Sequence, residues 1–343
     1  MASTLQRFAY GASQGLRVSW YWGQKLMAAS RSERPRVPDE TRQNLPDRAR
    51  LLRDLRRLLT RDWQNIAEGI YSMPPNLVPN PAAELRRCRH FLADLKEVEE
   101  RRSANGRTEV AKQQPPGKYP RYYLQNFHFQ TDGYLSKHSA ELYDHQVEVL
   151  FGGAADAMRR QALVPLRHEL ARCGARQARL LDIGCGTGRF LREVKHNYPR
   201  LAVTALDLSP FYLDEAQRHL AQWSRCSFVL GLAEQMPLAS ESFDVVTVIY
   251  LFHELPPKQR RLVAREIARL LRPGGLCIFV DSLQQGDEPD YDGLLDQFPR
   301  GFHEPYYASY VADDLAGIFG GAGLSQERSE PAYFSKLAIF RKT

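Results

Sequence analysis

Three glycines at alternate positions, Gly184, Gly186 and Gly188, follow an apolar run that ends in Asp182, and a helical pattern opens directly after them. A strand that ends in an acid and passes into such glycines can turn sharply and lay bare backbone against a ligand, because no Cβ stands in the way. A dinucleotide-binding turn wants G-x-G-x-x-G and a helix N-terminus aimed at a pyrophosphate. Here the third glycine comes one residue early, and Arg189 stands where that fingerprint needs its glycine. The stretch Leu181 to Gly188 therefore suits a ligand with no phosphate to cradle. A glycine-rich turn that binds nothing is the bland alternative.

Other residues extend the pattern. Asp207 closes the next apolar run nineteen residues after Gly188, with Leu208 beside it. In a doubly wound sheet, ligands lie beyond the carboxyl ends of the strands, so an acid there can accept from both hydroxyls of a ribose. Tyr250-Leu-Phe-His253-Glu254 ends a later strand and, by the same rule, faces the ligand and a second substrate. His253 has an intrinsic pKa suited to proton removal near neutrality, although polar strand-end residues also serve as structural caps. Ser282 to Tyr310 is too long for a simple connection and rich in acids and aromatics, as functional loops are. His303 is a second candidate base there, and Tyr306 and Tyr307 are candidate substrate contacts. Tyr134 belongs to a further aromatic stretch, Tyr119 to Met158, placed to cover a site or simply to pack helices.

Strand and helix patterns alternate from Arg179 onward, which predicts an α/β fold with a doubly wound, Rossmann-like sheet. Strands are expected at Arg179 to Ile183, Ala202 to Asp207, Ser227 to Leu230, Phe243 to Leu251 and Leu276 to Asp281. Two more are expected near Leu324 to Arg328 and Tyr333 to Arg341. Helices are expected at Phe190 to Asn197, from Ser209-Pro210 to Trp223, at Pro257 to Leu271 and at Ala312 to Phe319. Upstream, helical spacing marks Asp47 to Glu68, Ala82 to Arg102 and Glu141 to Leu170. Arg31 to Pro46 and Ser103 to Pro120 read as polar linkers, and the prolines of Tyr71 to Pro81 as an extended crossing. The chain divides into a helical N-terminal extension (1–118), a helical lid or gate segment (119–165) and a catalytic domain (166–343).

The D-I-G-C-G-T-G elbow resembles motif I of the class I S-adenosylmethionine-dependent methyltransferases. Gly231-Leu-Ala-Glu-Gln-Met-Pro-Leu238 followed by Ser242-Phe-Asp244 resembles the corresponding stretch of the UbiE/COQ5-like small-molecule branch. The resemblance covers roughly Ala178 to Thr343 and implies a seven-stranded methyltransferase sheet with its last strand antiparallel. It implies S-adenosylmethionine as the cofactor, held by Asp182, Gly184, Gly186, Gly188, Asp207, Leu208, Ala233, Glu234 and Tyr250. It further implies methyl transfer to a small acceptor touched by Tyr134, Glu254, Tyr306 and Tyr307. One departure stands out: the branch places an aspartate for the adenine amino group where this chain has Leu232, which removes a hydrogen bond worth about 1 kcal/mol net. Ala233 and Glu234 remain to meet the adenine edge.

Charge adds a second theme. Residues 1–120 carry 22 Lys and Arg against 13 Asp and Glu, whereas the remainder is slightly acidic, with 25 against 27. Residues 1–27 hold no acid and set Arg7, Arg17 and Lys25 among Phe8, Leu16, Trp20, Trp22 and Leu26. Such a segment fits a membrane surface, an organelle presequence or packing against the protein's own helices. The five cysteines are scattered, as in a reducing compartment, and metal-ligand spacing is absent. The expected setting is cytoplasmic with a peripheral membrane contact, and the acceptor is expected to be apolar or lipid-like. RNA methylation and a non-catalytic binding or scaffold role are the rivals; the basic residues lie far in sequence from the elbow and carry no recognised RNA-binding signature, which argues against nucleic acid.

Overall fold

The computed structural model describes residues 3–30, 45–75, 77 and 80–343. Most of the expected linker Arg31 to Pro46, and part of the crossing Tyr71 to Pro81, lie outside the described residues. Upstream helices are α1 (Thr4–Ser30), α2 (Arg48–Ala67), α3 (Pro81–Ser103), α4 (Glu109–Gln113), α5 (Lys137–Leu150), α6 (Ala155–Arg160) and α7 (Leu163–Cys173). Then follow β1 (Arg179–Ile183), α8 (Arg189–Asn197), β2 (Ala202–Asp207), α9 (Pro210–Leu220), β3 (Cys226–Leu230), β4 (Phe243–Ile249), α10 (Pro257–Leu270) and β5 (Leu271–Ser282). The chain closes with α11 (Asp292–Gly301), α12 (Tyr307–Val311), α13 (Leu315–Gly320), β6 (Leu324–Ala332) and β7 (Ser335–Lys342).

The seven strands form one sheet in the order β3-β2-β1-β4-β5-β7-β6. Neighbours from β3 to β5 run parallel, and β7 is antiparallel to both β5 and β6. This is the sheet the sequence predicts. Val246, Val248, Cys277 and Phe279 pack toward α10 and α13, while Leu180, Val203, Val245 and Ile278 pack toward α7, α8 and α9. Burial on both faces explains why these strands read as continuous apolar runs rather than alternating ones.

Several boundaries differ from the expected ones for local reasons. The segment read as one helix from Glu141 to Leu170 is three, α5 to α7. Gly152 and Gly153 break it at φ of +58° and +85°, and α1 comes so close that a Cβ on Gly152 would stand 2.5 Å from the Trp22 ring nitrogen. The late helix starts at Leu315 rather than Ala312 because the Asp314 carboxylate caps it, accepting from the Gly317 N–H at 2.9 Å. Strand β5 begins at Leu271, opposite Phe243, so the Arg272-Pro-Gly-Gly stretch that ends α10 already belongs to the sheet after a register shift. Among the described residues, no helix is long and apolar enough to cross a membrane.

Candidate active site

Strands β1, β2 and β3 step one way across the sheet and β4 and β5 the other, so the strand order reverses between β1 and β4. Beyond the carboxyl ends of an open α/β sheet, such a reversal leaves a crevice. A cavity of about 930 Å³, its mouth included, occupies that place. Its floor is Asp182, Gly184 to Thr187, Asp207, Leu208, Gly231, Ala233 and Ile249 to Leu251. Its roof is five tyrosines, Tyr122, Tyr123, Tyr134, Tyr143 and Tyr212, with Glu254 and Leu255 at one side.

Backbone geometry fixes the floor. Gly184 sits at φ +65°, and a Cβ there would stand 3.2 Å from the Leu251 side chain, so a side chain would close the cradle. Asp207 Oδ2 accepts from the Gly186 N–H and Oδ1 from the Ser209 N–H, both at 2.8 Å. Each oxygen keeps lone-pair capacity for a further donor. Burial pushes the Asp207 carboxyl up, while the three backbone N–H groups from Ser209, Gly186 and Leu208 pull against that shift. Asp182, 2 % exposed, accepts from the Thr247 hydroxyl at 2.6 Å, and burial pushes its carboxyl up to about 7. Two acids on one wall, one of them near neutrality, suit hydroxyl and ammonium donors and repel phosphate. The residues therefore fit a nucleoside carrying an amino-acid group.

A buried ion network ties this floor to the helices before it. Arg189, on the cavity wall, donates to Asp156 at 3.0 and 2.6 Å, and Arg17 of α1 donates to the same carboxylate at 2.8 Å. Arg17 also meets Glu148 at 2.6 Å. Burial opposes charge on Asp156, but Arg189, Arg17 and Arg159 outweigh it and hold the carboxyl well below its usual range. Sequence reasoning used Arg189 only to reject a dinucleotide turn and missed its place on the wall. Asp144, Arg159 and Tyr212 also line the cavity and carry no mark in the sequence that singles them out.

The Glu254 side of the cavity is more layered. Glu254 lines the cavity, and the Tyr134 hydroxyl donates to its Oε1 at 2.5 Å. Burial pushes the Glu254 carboxyl up to about 7, against the attraction of His253. His253 lies behind it, with Nε2 3.8 Å from Glu254 Oε1 and Nδ1 2.6 Å from Asp281 Oδ1. Asp281 is fully buried and also accepts from the Phe252 and Ser282 N–H groups. Burial alone would lower the His253 pKa, but Asp281, Glu254 and Glu304 raise it to about 9. At neutral pH His253 is thus an imidazolium held in a ring of acids.

Of the residues singled out from sequence, Asp182, Gly184, Gly186, Asp207, Leu208, Ala233, Tyr250, Tyr134 and Glu254 meet around the cavity. Gly188 instead packs against Ala216 at the start of α8. Glu234 is set back, accepting from the Tyr122 hydroxyl at 2.5 Å with its second oxygen unpaired. His303 is bonded to Gln125 at 3.0 Å, Tyr306 reaches the Tyr122 carbonyl, and Tyr307 bonds Ser282; none of the three is on the cavity wall. For His303, burial and Arg107 lower the pKa to about 4. Cys185 is on the wall, but burial holds its thiol well above the usual range.

The chain is similar in sequence to known proteins. Residues 180–275 match the family described as "Methyltransferase domain". A ubiquinone/menaquinone biosynthesis C-methyltransferase UbiE of Methylobacterium nodulans is 30% identical over 180 residues, 51% of this chain and 68% of that one. A demethylmenaquinone methyltransferase of Thermotoga maritima is 29% identical over 61% of this chain and 96% of that one. A malonyl-[acyl-carrier protein] O-methyltransferase of Geobacter sulfurreducens is 27% identical over 50% of this chain, which spans 66% of its length, just under two thirds. All of these similarities fall short of covering this chain's full length.

Proposed function

We propose that this chain, which belongs to the class I S-adenosylmethionine-dependent methyltransferases, transfers a methyl group from S-adenosylmethionine to a small, apolar or lipid-like acceptor. The observation that carries the reading is Asp207 at the end of β2, held by the Gly186 and Ser209 N–H groups on the wall of the crevice that Gly184 also lines. When bound, the cofactor supplies an activated methyl group on a sulfonium. Asp207 would accept from the ribose hydroxyls, Asp182 and the elbow backbone would hold the amino-acid end, and Ala233 with Glu234 would meet the adenine edge. What remains for the protein is to align the acceptor and exclude water, a proximity effect worth several kcal/mol of a barrier.

The tyrosine roof supports an acceptor with an apolar body, since five tyrosines and Leu255 line that side and its two acids are Glu254 and Asp144, the latter taken up by the Thr187 hydroxyl and Arg189. The segment 119–165 then serves as the roof over both substrates. If the acceptor carries a proton that must leave, Glu254 is the better base than His253: it lines the cavity, and its carboxyl titrates near 7. His253 acts through Glu254, its imidazolium holding the neighbouring carboxyl in reach of ionisation. An acceptor of this kind resides at a bilayer, and residues 1–27 are the part of the chain that would meet it.

Calorimetric titration with S-adenosylmethionine tests the donor half; a folded protein that shows no binding would leave only a scaffold role. Incubation with methyl-labelled S-adenosylmethionine and fractionated cell extract tests the acceptor half. Label in the lipid fraction is expected, and label in RNA or in polar metabolites would overturn the apolar reading.

A further inference from the structure

Helix α1 is amphipathic in the reverse of the usual sense. Its inward residues, Tyr10, Gln14, Arg17, Tyr21, Gln24 and Ala28, recur at intervals of four and three and are mostly polar. They anchor the helix by directed bonds: Tyr10 donates to Asp62 at 2.6 Å, Gln24 meets His145 at 2.7 Å, and Arg17 reaches Asp156 at 2.8 Å. The outward face instead carries Leu5, Phe8, Ala12, Leu16 and Trp20 at such spacing, with Met27 two turns further on. Leu5 is 76 %, Phe8 74 % and Leu16 75 % exposed, and Leu26 is exposed at the edge of the stripe. A surface helix ordinarily turns such a stripe toward the core. A 27-residue helix is about 40 Å long, so the exposed apolar stripe far outruns the isolated surface leucines that need no explanation.

The surroundings say what covers it. Three helices pack against α1: α5 holds its inward face through His145 and Glu148, and α2 and α3 present exposed arginines, Arg53, Arg56 and Arg57 on one, Arg86 and Arg89 on the other. No acid occurs on α1. A second copy laid face to face on α1 would bring these like charges together, a repulsive arrangement, whereas anionic headgroups would neutralise them. The following chain segment, residues 31–44, offers Val37 as its single aliphatic side chain, too little apolar surface to cover the stripe. Apolar residues with a tryptophan on one face and arginines alongside are the composition of a helix lying in the headgroup and acyl boundary.

We propose that the outer face of α1 is a docking surface for an anionic lipid bilayer, with Leu5, Phe8, Leu16 and Trp20 entering the boundary and the arginines of α2 and α3 over the headgroups. The helix does not have to leave the body to reach the membrane, because its inward face is fixed by the Asp62, His145 and Asp156 bonds. This deepens the reading of residues 1–27 as a membrane contact but does not depend on methyl transfer. A protein that binds vesicles and fails to bind S-adenosylmethionine would sustain the one and sink the other.

The test is flotation of the full chain with phosphatidylglycerol–phosphatidylcholine vesicles, beside vesicles of phosphatidylcholine alone. Binding is expected to the first, weaker to the second and weakened by salt. The Leu5→Ser/Phe8→Ser/Leu16→Ser variant should bind at least about tenfold more weakly with its melting temperature and S-adenosylmethionine affinity unchanged, since all three side chains project outward. Arg53→Glu/Arg56→Glu, which leaves the stripe intact, should weaken binding and flatten its salt dependence. Failure of the unmodified protein to float, or equal flotation of all variants, overturns the proposal. So does light scattering that shows a dimer without vesicle binding, turned monomeric by the triple serine variant, because the face would then be an interface between copies.

Discussion

On the floor of the cavity, Asp207 and Asp182 are set by groups at the ends of neighbouring strands: the Gly186 N–H after β1 and the Ser209 N–H after β2 bind one, and the Thr247 hydroxyl opposite it on β4 binds the other. On the roof, Tyr123 and Tyr134 come from the segment before α5, Tyr143 from α5 and Tyr212 from α9, and they meet through ring contacts of 5.4 to 6.1 Å. Backbone and ladder geometry hold the floor to a single arrangement. Packing among side chains holds the roof, and packing tolerates substitution of shape far better than a strand end tolerates loss of its acid. On the proposed function, the floor would therefore hold a common donor, and the roof would tell one acceptor from another.

The largest effect should come from the floor. Asp207→Ala removes the acceptor for two ribose hydroxyls and releases the Gly186 and Ser209 N–H groups, so S-adenosylmethionine affinity should fall by about a hundredfold, or roughly 3 kcal/mol. Calorimetry checks it, and an affinity within twofold of the unmodified protein would break the assignment of binding to the floor. Glu254→Gln comes next and should separate the two regions. It keeps an oxygen for the Tyr134 hydroxyl but cannot take a proton. With the acceptor identified, kcat should fall by about a hundredfold or more while donor affinity stays unchanged. A matching loss of donor affinity would show that Glu254 belongs to the floor instead.

A smaller effect sharpens the acceptor side. A base acts as its carboxylate, so the rate should fall as pH drops below about 7, where Glu254 takes up its proton, and level off above. His253→Gln removes the positive charge that favours the carboxylate, so the inflection should move to higher pH. An unmoved inflection would detach His253 from the chemistry, and an inflection near 9 in the unmodified protein would point back to His253 as the base.

The same contrast decides what could be read from the chain. The sheet was legible because strands β1 to β5 are short apolar runs punctuated by glycine, proline and acids, and the floor because its ligands lie within a few residues of those strand ends. His253 was picked out as a strand-end histidine with a suitable intrinsic pKa. Nothing in the sequence announces Asp281, twenty-eight residues on, which turns that imidazole into a cation. His303, read as a second base by its place in a long aromatic loop, turns toward Gln125 and away from the wall. The roof was visible only as an aromatic composition, because which tyrosines meet depends on α5, α9 and the preceding segment converging. The inverted face of α1 was half visible: its residues were evident, but their direction needed the Arg17 and Tyr10 partners, both far away in sequence.

The smallest expected effect lies at the seam of the two regions. Leu232, half buried, occupies the position where the family resemblance calls for an aspartate to the adenine amino group, and the nearby Glu234 is engaged by Tyr122 of the roof. One hydrogen bond to the adenine is worth about 1 kcal/mol net, or roughly fivefold in affinity. Leu232→Asn supplies the missing acceptor without setting a second negative charge beside Glu234, so donor affinity should rise by about that factor. Tyr122→Phe frees Glu234 to turn toward the base, and in the Leu232→Asn background it should add little, since the amino group is already satisfied. Combined gains that multiply would show two separate adenine contacts, one from the floor and one borrowed from the roof, and would erase the boundary between donor wall and acceptor wall at this edge.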